Sequence, residues 1–145
     1  MRKFLSMLLA LTATASLAFA ATETVNCDGS ATLEANPKTG YHFLRWEKDG
    51  VQVSTSASYQ VTNIQADASY TAIFAPNTNT PYTVKHYQQN LDGTYPAVAT
   101  DVDNLTGTTG APTAAEAKSY TGFTKVNFDQ GTIAADGSTV ITINY

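Results

Sequence analysis

The sequence predicts a mainly β protein of α+β type, built as two small modules in tandem, the second carrying one short helix. Three observations predict it. Short stretches alternate apolar and polar residues with a period of two, the pattern of half-buried strands. Asp-Gly pairs at 49–50, 92–93 and 136–137 punctuate those stretches, and this dipeptide is a strong turn signal. Pro76-Asn-Thr-Asn-Thr-Pro81 sets two prolines around small polar residues, the chemistry of a semi-extended, poorly packed connector. Modules are therefore expected at 22–75 and 82–145, with 76–81 as the linker.

Ahead of the modules, residues 1–20 read as a removable export signal. Met1-Arg2-Lys3 is a basic start, Phe4 to Phe19 is uncharged with a Leu-rich centre, and Ala18-Phe19-Ala20 fits the small-x-small cleavage rule. Cleavage is expected after Ala20. The apolar run is shorter than the roughly 20 residues that span a bilayer, and no second run of that kind follows, so no membrane insertion is expected after cleavage. Cys27 is the single cysteine. It excludes an internal disulfide, lies beyond the cleavage point where a lipid anchor would need it, and is expected as a partly buried small hydrophobe.

In the first module, Ala31-Thr-Leu-Glu-Ala35 alternates as a strand. Asn36-Pro-Lys-Thr-Gly40 is turn chemistry, because Pro fixes φ and Gly tolerates φ > 0. Tyr41-His-Phe-Leu-Arg-Trp46 alternates again, which places Tyr41, Phe43 and Arg45 on one face and His42, Leu44 and Trp46 on the other. Asp49-Gly50 turns the chain into Val51-Gln-Val53. Ser58-Tyr-Gln-Val-Thr62 and Ser69 to Phe74 read as closing strands. The set Leu33, Ala35, Pro37, Gly40-Tyr41, Phe43, Trp46 and Gly50, closing with Thr71-Ala72 and Phe74, resembles the divergent internalin-type B-repeat of bacterial surface and exported proteins. The resemblance covers nearly all of 30–75. It implies a small β-grasp-like module, usually present in several copies, of which one is found here.

The second module opens with Tyr82-Thr-Val-Lys-His-Tyr87, whose alternation places Tyr82, Val84 and His86 together. Asp92-Gly93 then predicts a hairpin into Thr94 to Thr100, and Leu105 to Gly110 reads as loop. Ala111 to Lys118 carries the helical signal, with Thr113 and Glu116 spaced as a capping box. Tyr120-Thr-Gly-Phe123, Gly131-Thr-Ile133, the Asp136-Gly137 turn and a last strand, Thr139 to Tyr145, complete the module. Tyr82-x-Val84-x-His86-Tyr87, Asp92-Gly93-x-Tyr95, Gly107-x-x-Gly110, Tyr120-x-Gly122-Phe123 and Gly131-x-Ile133 resemble the mucin-binding-protein-like repeat, another β-grasp relative of exported bacterial proteins. That resemblance covers essentially all of 82–145 and carries over no defined ligand residues.

Composition narrows the function. The chain carries 8 Lys+Arg against 12 Asp+Glu, for a net charge of −4, and loss of Arg2 and Lys3 with the signal would make it more acidic. Nucleic-acid binding needs clustered cations to displace counterions, and docking on anionic lipid needs the same, so neither is expected. Trp46, Phe43, Phe74, Tyr87 and Phe123 are expected in the core. Trp46 and Tyr41 suit a sugar-stacking platform, but their pattern reads first as packing. Tyr59, Tyr70 and Tyr95 are the candidate ligand contacts. His42 and His86 are expected as strand-face or satisfied core histidines, since neither has a partner at metal-ligand spacing. Asp92, Asp101 and Asp103 are expected as solvated loop charge. Asn104-Leu105-Thr106 is a glycosylation sequon, expected idle in a bacterial protein.

No catalytic, metal or cofactor constellation stands out, so no enzyme and no cofactor are expected. The sequence points to a non-enzymatic, exported or cell-surface interaction or spacer module. Its partner would be another envelope or host protein, or a glycan, met by a module surface or an open strand edge. A carbohydrate- or mucin-binding module and a truncated relic of a larger surface protein are the alternatives.

Overall fold

The computed structural model describes residues 19–25 and 30–145, the first of these segments by its backbone alone. Most of the expected signal, and Cys27, lie outside the described residues. Contacts within the chain divide it into two compact units, Met1–Pro76 and Asn77–Tyr145.

Six strands lie in the first unit: β1 (Phe19–Val25), β2 (Ala31–Glu34), β3 (Tyr41–Lys48), β4 (Val51–Ser54), β5 (Ser58–Val61) and β6 (Ala68–Pro76). A four-stranded antiparallel sheet runs β1-β6-β3-β4, and β2 pairs with β5 in a separate two-stranded ribbon. The sequence reading gives no strand before Ala31. β1 nonetheless pairs with β6 from Phe19↔Phe74 to Val25↔Ala68, so it crosses the expected cleavage point after Ala20.

One irregularity in β3 corrects the expected faces. Phe43 pairs with Phe74 and Arg45 with Ile73, which leaves Leu44 as an extra residue. A bulge of this kind shifts the alternation by one. Phe43 and Trp46 therefore share a face instead of opposing each other. Their rings lie 5.8 Å apart, and Phe43 meets Phe74 edge-on at 5.8 Å. Trp46 is 0% exposed and packs with Leu33, Val61, Tyr70, Ala72 and Phe74 in the core of this unit. Its indole N–H donates to the Ala57 carbonyl at 3.4 Å, which ties the β4–β5 connection to the core.

The second unit holds β7 (Thr80–Tyr87), β8 (Asp101–Gly107) and β9 (Val140–Asn144), in sheet order β8-β7-β9. β7 runs antiparallel to β8 and parallel to β9. The parallel pair requires a long crossover, and the chain over 88–139, which includes β8, supplies it. Pro81 sits inside β7, where its missing N–H does no damage: it faces only Thr106, because β9 pairing begins at Thr83.

Four expectations need correction here. The connector is shorter than 76–81, since Pro76 belongs to β6 and Thr80 and Pro81 to β7. Thr80, expected in that connector, is instead a buried residue of β7 that bonds Thr109 hydroxyl to hydroxyl at 2.6 Å. The strand paired with β7 is 101–107, not 94–100. Pro96 cannot donate to a ladder, and Asp92-Gly93 turns only a local loop, with the Gly93 N–H on the Asn90 carbonyl at 3.0 Å.

The expected helix is also absent: Ala111–Lys118 is irregular apart from an isolated bridge between Pro112 and Thr132, and no helix occurs among the described residues. Its backbone N–H groups are taken by partners distant in sequence. The N–H of Thr113 donates to the Gly131 carbonyl, that of Ala114 to the Tyr82 hydroxyl, that of Ala115 to Gln130 Oε1, and that of Lys118 to the Tyr145 hydroxyl. Gln130 also donates from Nε2 to the Ala115 carbonyl at 2.8 Å, so one side chain imitates a strand partner. The mainly β class stands, with this irregular strap in place of the helix.

The fourth correction concerns the core. Phe123 is 39% exposed and Tyr87 is only partly buried, whereas Tyr82, Val84, Ile133, Ile141, Ile143 and Tyr145 form the core. Tyr82, Val84 and His86 do share the buried face of β7, as the alternation predicts.

Candidate functional site

Three features stand out once the strands are placed: a groove in the first unit, a charged cluster in the second, and an open strand edge.

The groove lies where β3 ends, β6 begins and the 62–67 loop passes between β5 and β6. It has a volume of about 560 Å³ and is lined by Lys48, Asp49, the loop and Tyr70. Lys48 Nζ sits 5.8 Å from the Tyr70 ring centroid. Burial first, then the neighbouring Tyr59 and Asp49, push the Tyr70 phenol above its ordinary pKa, so it stays a neutral hydroxyl. Gln65 donates from Nε2 to Asn63 Oδ1 at 2.8 Å, linking two loop amides.

The candidate tyrosines are not assembled into one platform. Tyr59 and Tyr70 belong to the first unit and pack edge-on at 6.2 Å, with Tyr70 buried against the core and half-buried Tyr59 beside it. Tyr95 lies on the 88–100 loop of the second unit, 38% exposed. Tyr70 alone of the three lines the groove.

In the second unit, Asp101 and Asp103 lie on β8, not in a solvated loop. Lys118 Nζ donates to both carboxylates at 2.6 Å. These bonds, the largest influence on each group, hold both carboxyls below the usual carboxylate range and raise the Lys118 ammonium far above its own. His86, 0% exposed, bridges Tyr145 Oη at 2.9 Å through Nδ1 and Asp103 Oδ2 at 3.1 Å through Nε2. A carboxylate can only accept, so Nε2 presents a hydrogen to Asp103, while the Tyr145 hydroxyl accepts from the Lys118 N–H at 2.7 Å and also pairs with Nδ1. This chain fastens the strap to the sheet. Among the described residues, no group of three His, Cys, Asp or Glu side chains could hold a metal ion.

Each of the two larger sheets has two edges, β1 and β4 in the first unit and β8 and β9 in the second, and β4 and β8 differ in kind. β4 is an edge of only four residues, and Val53 is bulged out between the Trp46↔Ser54 and Glu47↔Gln52 pairs. Short, bulged edges resist pairing with other chains. β8 is an edge of seven residues in unbroken register with β7. Its exposed positions, Val102, Asn104 and Thr106, carry no charge. The sequence reading put no strand over all of 101–107 and so gave no sign of this edge.

Residues 8–78 match the family model described as the divergent InlB B-repeat domain. The first unit is therefore similar to a module of bacterial surface and exported proteins that suggests protein interaction. The match begins inside the expected signal and ends just past β6. No curated protein matches the chain, and no solved structure does.

Proposed function

We propose that this chain is a non-enzymatic, exported envelope module that binds another protein by strand addition at the β8 edge. The observation that carries the proposal is the edge itself: seven residues in unbroken register, with no lysine, proline or bulge of its own, and with the charges of Asp101 and Asp103 offset by Lys118. A partner strand there would gain main-chain hydrogen bonds along β8, while Val102, Asn104 and Thr106 would set side-chain preference. The likeness of the first unit to the InlB B-repeat supports an extracellular surface setting, and the export signal over 1–20 would deliver the chain there. The resemblance of 82–145 to mucin-binding-protein-like repeats fits the same setting.

The test uses the purified chain and an envelope extract of the producing cell. Wild type is compared with Asn104→Lys/Thr106→Lys, which blunts the edge at two exposed positions without touching the core. A discrete partner retained by wild type and lost by the variant supports strand addition. A partner retained equally by both overturns it.

A further inference from the structure

We propose that the groove between the β3–β4 turn and the 62–67 loop binds a neutral saccharide. This goes beyond the protein-binding reading, engages the other unit, and stands or falls separately from the β8 edge.

The volume comes first. About 560 Å³ lies inside the range of roughly 300–1,000 Å³ typical of small-ligand sites. The walls come second. Thr62, Asn63, Gln65 and Ser69 bring hydroxyls and planar amides, groups that both donate and accept. The Gln65–Asn63 bond at 2.8 Å uses one Gln65 hydrogen and one Asn63 lone pair. It leaves the Gln65 carbonyl as acceptor beside the Asn63 amino group as donor. A sugar's neighbouring hydroxyls present the same mixture at each ring carbon.

The floor comes third. Val61 is buried and Ile64 packs against the core, so aliphatic surface lies under the polar wall. A pyranose has a C–H face that meets such a surface while its rim hydroxyls meet the amides.

Charge decides which sugars fit. Among the described residues, two carboxylates, Asp49 and Asp67, and one ammonium, that of Lys48 over the Tyr70 ring, line the groove. The excess of carboxylate, in a chain that is itself net −4, repels phosphate, sulfate and sialic acid. Backbone conformation adds a fourth observation. Asp49 (φ 50°) and Asn63 (φ 54°) are the two non-glycine residues with positive φ among the described residues, and both line this groove. The Asp-Gly hairpin accounts for Asp49. Asn63 is of the residue type that enters this region most readily after glycine, and it sets the course of the 62–67 loop that forms the polar wall.

The experiment is an NMR titration of the ¹⁵N-labelled full chain with millimolar cellohexaose, maltohexaose and N-acetylchitohexaose, with dextran sulfate as the anionic control. The proposal expects saturable shifts at Thr62, Asn63, Gln65 and Ser69 with at least one neutral oligosaccharide, and none there with dextran sulfate. Gln65→Ala removes an exposed side chain that the core does not use, and should weaken binding about tenfold, as loss of one ligand hydrogen bond does. Absence of shifts with all three neutral sugars overturns the proposal. So do shifts confined to the second unit around Tyr95, preference for the anionic polymer, or unchanged affinity in Gln65→Ala.

Discussion

Replacing Gln130 by leucine tests the explanation given for the missing helix. Gln130 Oε1 accepts from the Ala115 N–H at 2.9 Å and from Thr113 Oγ1 at 2.6 Å, and Nε2 donates to the Ala115 carbonyl at 2.8 Å. Ala115 is buried, so leucine leaves its N–H and carbonyl without their partner. Each stranded buried group costs about 1–3 kcal/mol. Relaxation of the strap and water reaching the exposed Gln130 side reduce the sum, so about 2–4 kcal/mol is expected for the pair. For a unit of this size, 1 kcal/mol shifts the unfolding midpoint by roughly 4–8 °C, which makes a fall of at least about 8 °C. The assay separates the units. Trp46 is the single tryptophan and lies in the first unit, so its fluorescence follows that unit, while near-UV tyrosine dichroism follows both. Gln130→Leu should lower the tyrosine transition and leave the tryptophan transition in place. An unchanged tyrosine transition, or a gain of helical far-UV signal in the variant, would refute the claim that Gln130 keeps 111–118 out of a helix.

Two further outcomes follow from the same contacts. Lys118 holds the Asp101 and Asp103 carboxyls below the usual range. A carboxyl with a lowered folded pKa stabilises above its unfolded value, about 3.9, and loses that contribution as pH falls through the folded pKa. Acid should therefore weaken the second unit below about pH 4, and Asp101→Asn/Asp103→Asn should flatten that dependence in unfolding midpoints measured against pH; an equally steep curve would contradict the assignment. Gly137 has φ 76°, and an added Cβ would stand 2.8 Å from Pro81 Cγ, so Gly137→Ala should destabilise the second unit by about 1–3 kcal/mol in denaturant unfolding.

The strands that the sequence made legible are those whose alternation meets one buried face. β7 is the clearest, with Tyr82, Val84 and His86 all inside. β3 shows where alternation fails. Its Tyr41 to Trp46 pattern is sound, but the bulge at Leu44 is a backbone event with no side-chain signature, so alternation alone puts Phe43 and Trp46 on opposite faces. The Thr113–Glu116 spacing is a genuine local cap signal. It loses to hydrogen bonds from Tyr82, Gln130 and Tyr145, which no local window can contain. β8 escaped notice because Asp101 and Asp103 look like loop charge until Lys118 and His86 are placed beside them. Of the candidate ligand contacts, only Tyr70 reached the groove. Asn63 and Gln65 form no motif, and the groove exists only because the 62–67 loop folds against the end of β3.

Strand addition at β8 is open to photo-crosslinking in the producing cell. A benzophenone amino acid is placed at Val102, which is 44% exposed on that edge, and in a second chain at Val51, 67% exposed on the blunted β4 edge. Strand addition gives a discrete adduct with another envelope protein from position 102, its loss when Asn104→Lys/Thr106→Lys is added, and no matching adduct from position 51. No adduct from position 102, or one that persists unchanged in the edge-blocked chain, would contradict it.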